Sequence, residues 1–325
     1  MMLTTAGEHF VSNGDITLRV EVEGDGPVVL CVHGWPELAS SWHHQVRHLV
    51  ERGFRAAAID VRGYGGSSVP PEIERYRLAE LASDVAAVAA ALDDGPIVLV
   101  GHDWGAPIVW NTAIRHPDRI RAVAGLSVPY NPPLPMSLLD LFDQLYADRF
   151  FYQLYFAEPG RAEADFAVDL RGALKRCFFS LSGDAPPDAF IPDGPRDADF
   201  LPLLPDPPGG PLSFLSDEAL DTYVATFQRT GMTGAFNRYR AAPFDAVDAA
   251  DLAGATIDQP SCFIGGSVDP VRHMIPGGDM YDDPGAACTD FRGKTIIDRA
   301  GHWVHQEAPD AVNAALDTFL DSLDG

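Results

Sequence analysis

The sequence predicts an α/β architecture, a mostly parallel sheet flanked by helices, with an inserted α-helical cap domain. Three observations carry that expectation. Short apolar runs ending in glycine-containing loops alternate with helical stretches in the first 126 residues and again after about residue 248. Between these two parts the alternation breaks, and the chain becomes aromatic and helical. The length of 325 residues suits one core carrying a smaller insertion better than two independent domains.

Residues 16–23 alternate in strand fashion, and 28–32 and 54–59 are short apolar runs of strand type. Helical runs cover 40–52 and 78–92. Pro96-Ile97-Val98-Leu99-Val100 reads as a buried strand, 106–114 as the helix behind it, and 121–126 as the next strand. The pattern changes after Ser127-Val128-Pro129-Tyr130-Asn131-Pro132-Pro133. From there to about Asp248 the chain is helical, interrupted by a proline-rich loop over 183–211. Strands return at 261–266 and 294–297, and a helix over 309–323 closes the chain. The expected division is therefore core 1–129, cap 130–247 and core 248–325, without internal repeats.

A formal charge of −24 argues against nucleic acid or an anionic membrane as partner. Lys175 and Lys294 are the only lysines and Asp predominates among the acids, so either a high-salt habitat or a biased genome accounts for the balance. The N-terminus lacks a basic region and a long apolar stretch, and no run approaches membrane-spanning length. A soluble, cytoplasmic protein is expected. The four cysteines are scattered, with Cys31 and Cys262 inside strand-like runs as small hydrophobes. His44 and His48 stand one helical turn apart without the Glu of a zinc-protease motif, which favours an ordinary helix face. No metal and no cofactor is expected.

The chemistry concentrates at Gly101-His102-Asp103-Trp104-Gly105. Small residues on both sides of a central side chain, between a strand and a helix, are the context of a nucleophile elbow. The competing reading of Asp103 is a helix N-cap. A carboxylate attacking an acyl carbonyl would give an anhydride, so Asp103 is suited to displacement at a saturated carbon, as in an epoxide or alkyl halide. The product is an alkyl ester on the enzyme, whose hydrolysis needs a general base and oxyanion donors. The acid and base should follow at the ends of later strands. Asp269, in Ser267-Val268-Asp269-Pro270, and His302, in Ala300-Gly301-His302-Trp303, stand where that order requires them. A turn aspartate before proline is the plain alternative for Asp269, and His305 competes with His302 but lacks the preceding glycine. Trp35 and Trp104 are placed to donate the two oxyanion-hole N–H groups, with their indoles lining the pocket. So tight a loop also admits a cis bond before Pro36.

His33-Gly34-Trp35-Pro36-Glu37, Asp60-Val61-Arg62-Gly63-Tyr64-Gly65-Gly66-Ser67 and the elbow resemble the core motifs of soluble-type epoxide hydrolases of the α/β-hydrolase fold superfamily. The segments beginning at Phe151-Tyr152-Gln153 and ending at Arg238-Tyr239-Arg240 are similar to that family's two tyrosine-bearing cap segments. Nearly the whole chain is covered, except the proline-rich loop and residues 274–288; Arg238 departs from the aromatic residue often found there. The resemblance implies that Tyr152 and Tyr239 hold the epoxide oxygen, and ring opening to an alkoxide does call for O–H donors. Tyr155, one helical turn from Tyr152, is the alternative first donor. Gln153 joins Trp35, Trp104 and the two tyrosines among the expected substrate-binding residues.

The expected function is cofactor-independent hydrolysis of a small-molecule epoxide to a vicinal diol, by a monomer or homodimer. One alternative is a haloalkane dehalogenase, with the same nucleophile and N–H donors for the halide. A fluoroacetate-type dehalogenase would want an arginine where Trp104 stands. A noncatalytic receptor on the hydrolase fold is the alternative of another class, and it has no need of a complete triad.

Overall fold

The computed structural model describes residues 2–134, 136–187 and 189–323. Met1 and residues 324–325, which bound the expected core segments, lie outside the described residues, as does Asp188 of the proline-rich loop. Eight strands among the described residues form one sheet: β1 (Gly7–Asn13), β2 (Ile16–Glu23), β3 (Val28–Val32), β4 (Arg55–Ile59), β5 (Ile97–His102), β6 (Ile120–Leu126), β7 (Ser261–Gly266) and β8 (Phe291–Ile297). Their order is β1-β2-β4-β3-β5-β6-β7-β8. The first two pairings, β1 with β2 and β2 with β4, are antiparallel. From β4 onward every pairing is parallel.

Helices α1 (His43–Glu51), α2 (Leu78–Leu92) and α3 (Gly105–Arg115) connect strands of the first half. A helical cap then separates β6 from β7. It comprises α4 (Leu138–Leu145), α5 (Tyr152–Ala157), α6 (Arg161–Val168), α7 (Leu170–Ser180), α8 (Phe200–Leu203), α9 (Asp217–Thr230), α10 (Thr233–Arg240) and α11 (Ala242–Asp248). The short α12 (Val304–Glu307) and α13 (Pro309–Asp321) close the chain.

Strand alternation sends successive side chains to opposite faces. Leu30 and Leu99 join the core beneath α2 and α3, while Cys31 and Val100 pack with Leu49 of α1 and Leu316 of α13. Because both faces are covered, β3 and β5 are buried along their whole length, the reason they read as unbroken apolar runs. Cys31 and Cys262 are small buried hydrophobes, as expected. Ser216 caps α9 by accepting the Ala219 N–H at 3.1 Å. The Arg240 guanidinium on α10 grips Glu163 at 2.7 and 2.8 Å and donates to the carbonyls of Phe156 and Glu158, holding α10 to α5 and α6. Inside the cap Phe156 meets Phe200, and Phe166 meets Phe236, edge to face, while Phe166 and Phe200 lie parallel.

Local structure departs from expectation in three places. β1 escapes prediction because most of its residues are half-buried or exposed, as on an edge strand. The helical run over 40–52 begins with a 3-10 turn at Ala39–Trp42. The proline-rich loop contains the single-turn α8. No helix among the described residues is long and apolar enough to cross a membrane.

Candidate active site

Asp103 occupies the turn between β5 and α3 with φ 49°, a left-handed conformation that costs an L-residue on the order of 1 kcal/mol. The surrounding glycines permit it. A Cβ on Gly34 would lie 2.2 Å from Asp103 Oδ1, and one on Gly105 would lie 2.0 Å from the Val32 carbonyl oxygen. The Asp103 carboxylate does not cap α3. Instead Oδ1 accepts the Trp35 N–H at 2.7 Å, and Oδ2 stands 3.2 Å from His302 Nε2. Trp35-Pro36 is a cis peptide. Of the two expected backbone donors, only the Trp35 N–H bonds this carboxylate among the described residues.

His302 lies beyond β8 and Asp269 beyond β7, so strand ends bring together residues 199 and 33 positions apart. Nδ1 of His302 meets Asp269 Oδ2 at 3.0 Å, and both side chains are buried. Burial pulls the imidazole pKa down, but the Asp269 charge and then Asp103 outweigh it and raise the value to about 10. Asp269 keeps its carboxyl below the usual range despite burial, because of the His302 charge and hydrogen bond and the donors Tyr281 and Val271 N–H.

A cavity of about 610 Å³ opens between sheet and cap, with Asp103, Trp104, Tyr152 and Gln153 in a largely apolar wall. Tyr239 packs edge-on against Trp104 at 5.4 Å and against Tyr152 at 6.2 Å between ring centroids. Burial first, then the Asp103 charge, holds the Tyr239 phenol well above its usual range. Burial raises Tyr152 as well, against a Gln153 hydrogen bond that favours the phenolate. Both phenols therefore keep their protons at neutral pH. Tyr155, the alternative donor, has its hydroxyl on Asp165 Oδ2 at 3.0 Å and its ring under Arg161, outside the cavity wall.

Two of the expected substrate-binding residues, Trp35 and Tyr239, stand outside the cavity wall. The Trp35 indole is buried among the rings of Phe156, Phe190, Phe236 and Tyr239. Gln153 does line the cavity, as expected, and its amide donates to Tyr152 Oη and Met274 Sδ. Arg238, the departure from the family pattern, lies 4.7 Å over the Trp104 ring while paired with Asp245 and the Tyr76 carbonyl.

Sequence reasoning missed a supporting layer. Tyr281 Oη lies 2.6 Å from Asp269 Oδ2 and 2.7 Å from the Ser127 carbonyl. The His302 carbonyl accepts from Ser127 Oγ and His102 Nε2, both at 2.8 Å. His102 Nδ1 in turn bonds Glu37 at 2.7 Å, and Gln306 donates to the other Glu37 oxygen at 2.8 Å. The Glu307 carboxylate accepts the N–H groups of Gly183, Gly301 and Trp303 at 2.8–3.0 Å, tying the cap to the loop that carries His302. Glu37 and His102 lie inside the quoted motifs, but no local pattern pairs them, and Tyr281, Gln306 and Glu307 lie in none. The one metal-like group among the described residues is Glu37, His102 and His305. Its 2.7 Å contact is tighter than the roughly 3.3 Å separating two ligands of a tetrahedral zinc ion.

The sheet order, the left-handed turn at Asp103 and the Asp-His-Asp arrangement define a hydrolase of the α/β-hydrolase class. The chain matches the alpha/beta hydrolase fold family over residues 27–309. It is 40% identical to epoxide hydrolase A of Mycobacterium tuberculosis (strain ATCC 25618 / H37Rv), over 98% of each chain. An epoxide hydrolase from an endophytic Streptomyces superposes with a TM-score of 0.92 at 39% identity, over 98% of this chain and 96% of that one. Potato (Solanum tuberosum) epoxide hydrolase I gives 0.87 at 32% identity, over 97% and 99%. The chain belongs to the epoxide hydrolases of the α/β-hydrolase fold.

Proposed function

We propose that this epoxide hydrolase opens its substrate by attack of Asp103 on a ring carbon while Tyr152 and Tyr239 donate to the departing oxygen. The observation that carries the reading is the Asp103 carboxylate in the cavity wall, one oxygen on the Trp35 N–H and the other facing His302 Nε2. The ester so formed has no charge. His302, held by Asp269, then takes a proton from the water that attacks the ester carbonyl, and the Trp35 and Trp104 N–H groups stabilise the oxyanion. In this reading residues 130–247 form the cap over a core of 1–129 and 248–325. Incubation with a styrene-type epoxide and a chloroalkane in parallel tests it, through diol and chloride release. Chloride without diol would establish the dehalogenase instead.

Two further results are expected. Tyr152→Phe and Tyr239→Phe should each slow pre-steady-state alkylation, and the double variant should nearly eliminate it, since general-acid help is worth about 10²–10⁴-fold. Unchanged epoxide opening in the double variant would remove the tyrosines from the mechanism. Asp103→Asn, which copies the lost charge of the ester, should lower the His302 pKa from about 10, because an adjacent anion that favours imidazolium is gone. An NMR titration of the imidazole in the two proteins checks the direction. By the same argument alkylation prepares His302 to act as a base.

A further inference from the structure

Tyr152, Gln153 and Met274 meet in the cavity wall. Gln153 Nε2 lies 3.0 Å from Tyr152 Oη and 3.4 Å from Met274 Sδ, and Tyr152 Oη lies 3.7 Å from the same sulfur. All three side chains are buried. A thioether has no hydrogen to give, so the Gln153 atom shared between sulfur and phenol is the amide nitrogen, and it donates to both. One lone pair of the phenol oxygen is thereby occupied. Conjugation keeps a phenolic O–H near the ring plane, where it has two positions. With an N–H on one side, the proton takes the other.

On the amide's side of the oxygen the proton would meet, among the described residues, the Met274 sulfur, a weak acceptor at 3.7 Å that the same amide already engages. Turning the O–H away from the amide's side toward an epoxide oxygen therefore gives up little. When Tyr152 passes its proton to the opening ring, the phenolate oxygen keeps the Gln153 N–H, a hydrogen bond that strengthens as charge develops. Resting on the tyrosine role proposed above, we propose that Gln153 is a positioning residue that aims the Tyr152 proton at the substrate oxygen and stabilises the phenolate left behind. It thus acts through Tyr152 and not through contact with substrate.

The test is a double-mutant cycle in the full-length protein, read as the alkylation rate in stopped flow with a styrene-type epoxide. Gln153→Leu should slow alkylation on the order of 10-fold, the usual effect of losing one hydrogen bond to a charged group. In a Tyr152→Phe background the same change should cost almost nothing further, because the hydroxyl it serves is absent. A merely structural role would slow both backgrounds alike, and such additivity would overturn the proposal. Gln153→Glu supplies an independent readout. Its carboxylate accepts the phenol proton and turns it from the substrate, whereas its protonated form can donate as the amide does. Alkylation should therefore be slow at pH 8 and recover as pH falls; a wild-type pH profile counts against the inference. If Tyr152→Phe itself reacts as fast as wild type, the tyrosine role fails and the Gln153 role falls with it. If Tyr152→Phe is slow and Gln153→Leu is not, the Gln153 role alone fails.

Discussion

Asp103→Ala is expected to abolish diol formation while leaving the fold in place. The side chain forms the covalent bond, and loss of the nucleophile in a covalent hydrolase costs on the order of 10⁶-fold. Stability should change little. Alanine at φ 49° is worse than aspartate by about 1 kcal/mol, small beside the roughly 5–15 kcal/mol that holds a domain together. Removing the negative group beside His302 and beneath the Trp35 N–H leaves no buried charge without a partner, since His302 retains Asp269. The companion measurement is a single turnover in heavy-oxygen water. Attack of water on the ester carbonyl puts the label into the Asp103 carboxylate, whereas direct attack on the substrate puts it into the diol alone. Mass spectrometry of the peptide containing Asp103 decides between them, and an unlabelled peptide after complete turnover would sink the covalent route.

His302→Gln should separate the two chemical steps. A carboxylate needs no base for its own attack, so alkylation proceeds; the water that must follow has lost its proton acceptor. Hydrolysis is expected to slow by about 10²–10⁴-fold, and intact-mass measurement should show a persistent adduct equal to the mass of the substrate. Glutamine leaves a polar group to face Asp269, which keeps that buried carboxylate from standing alone. Asp269→Asn should retard the same step less, since it weakens the orientation of the ring without removing it. Failure of the adduct to accumulate, with Asp103 still reactive toward epoxide, would assign the base elsewhere.

The elbow is legible in the sequence because its determinants are local. A buried strand, two glycines and a helix lie within 20 residues, and each glycine answers to a contact of under 2.5 Å that a side chain could not survive. Asp269 and His302 are legible for a different reason, since parallel topology delivers strand ends to one edge of the sheet. The cap tyrosines come only through resemblance; periodicity alone treats Tyr152 and Tyr155 as equivalent, and the structure parts them by giving Tyr155 a carboxylate partner. The pairing within the supporting layer is invisible for a physical reason. Glu37 meets His102 across 65 residues and Gln306 across 269, and Tyr281 reaches Asp269 from a stretch without a motif. Such bonds depend on where loops come to rest, which hydrophobic periodicity does not encode.

Glu307 has a consequence for how the molecule breathes. Its carboxylate holds amides from two parts of the chain, Gly183 at the far side of α7 and Gly301 and Trp303 around the catalytic histidine, while the His302 amide donates to the Leu181 carbonyl. Parting the two segments would strip two amide protons, those of Gly183 and His302, of their acceptors and leave Glu307 with two of its three donors, each lost bond worth about 1–3 kcal/mol if water does not replace it. In the language of hydrogen exchange, this stretch of cap and the histidine loop are a single opening unit. Their amides should trade protons for deuterons on a common timescale, slower than those of the exposed loops near residues 206–211. Movement of the cap that keeps these bonds intact is expected to take place away from this seam.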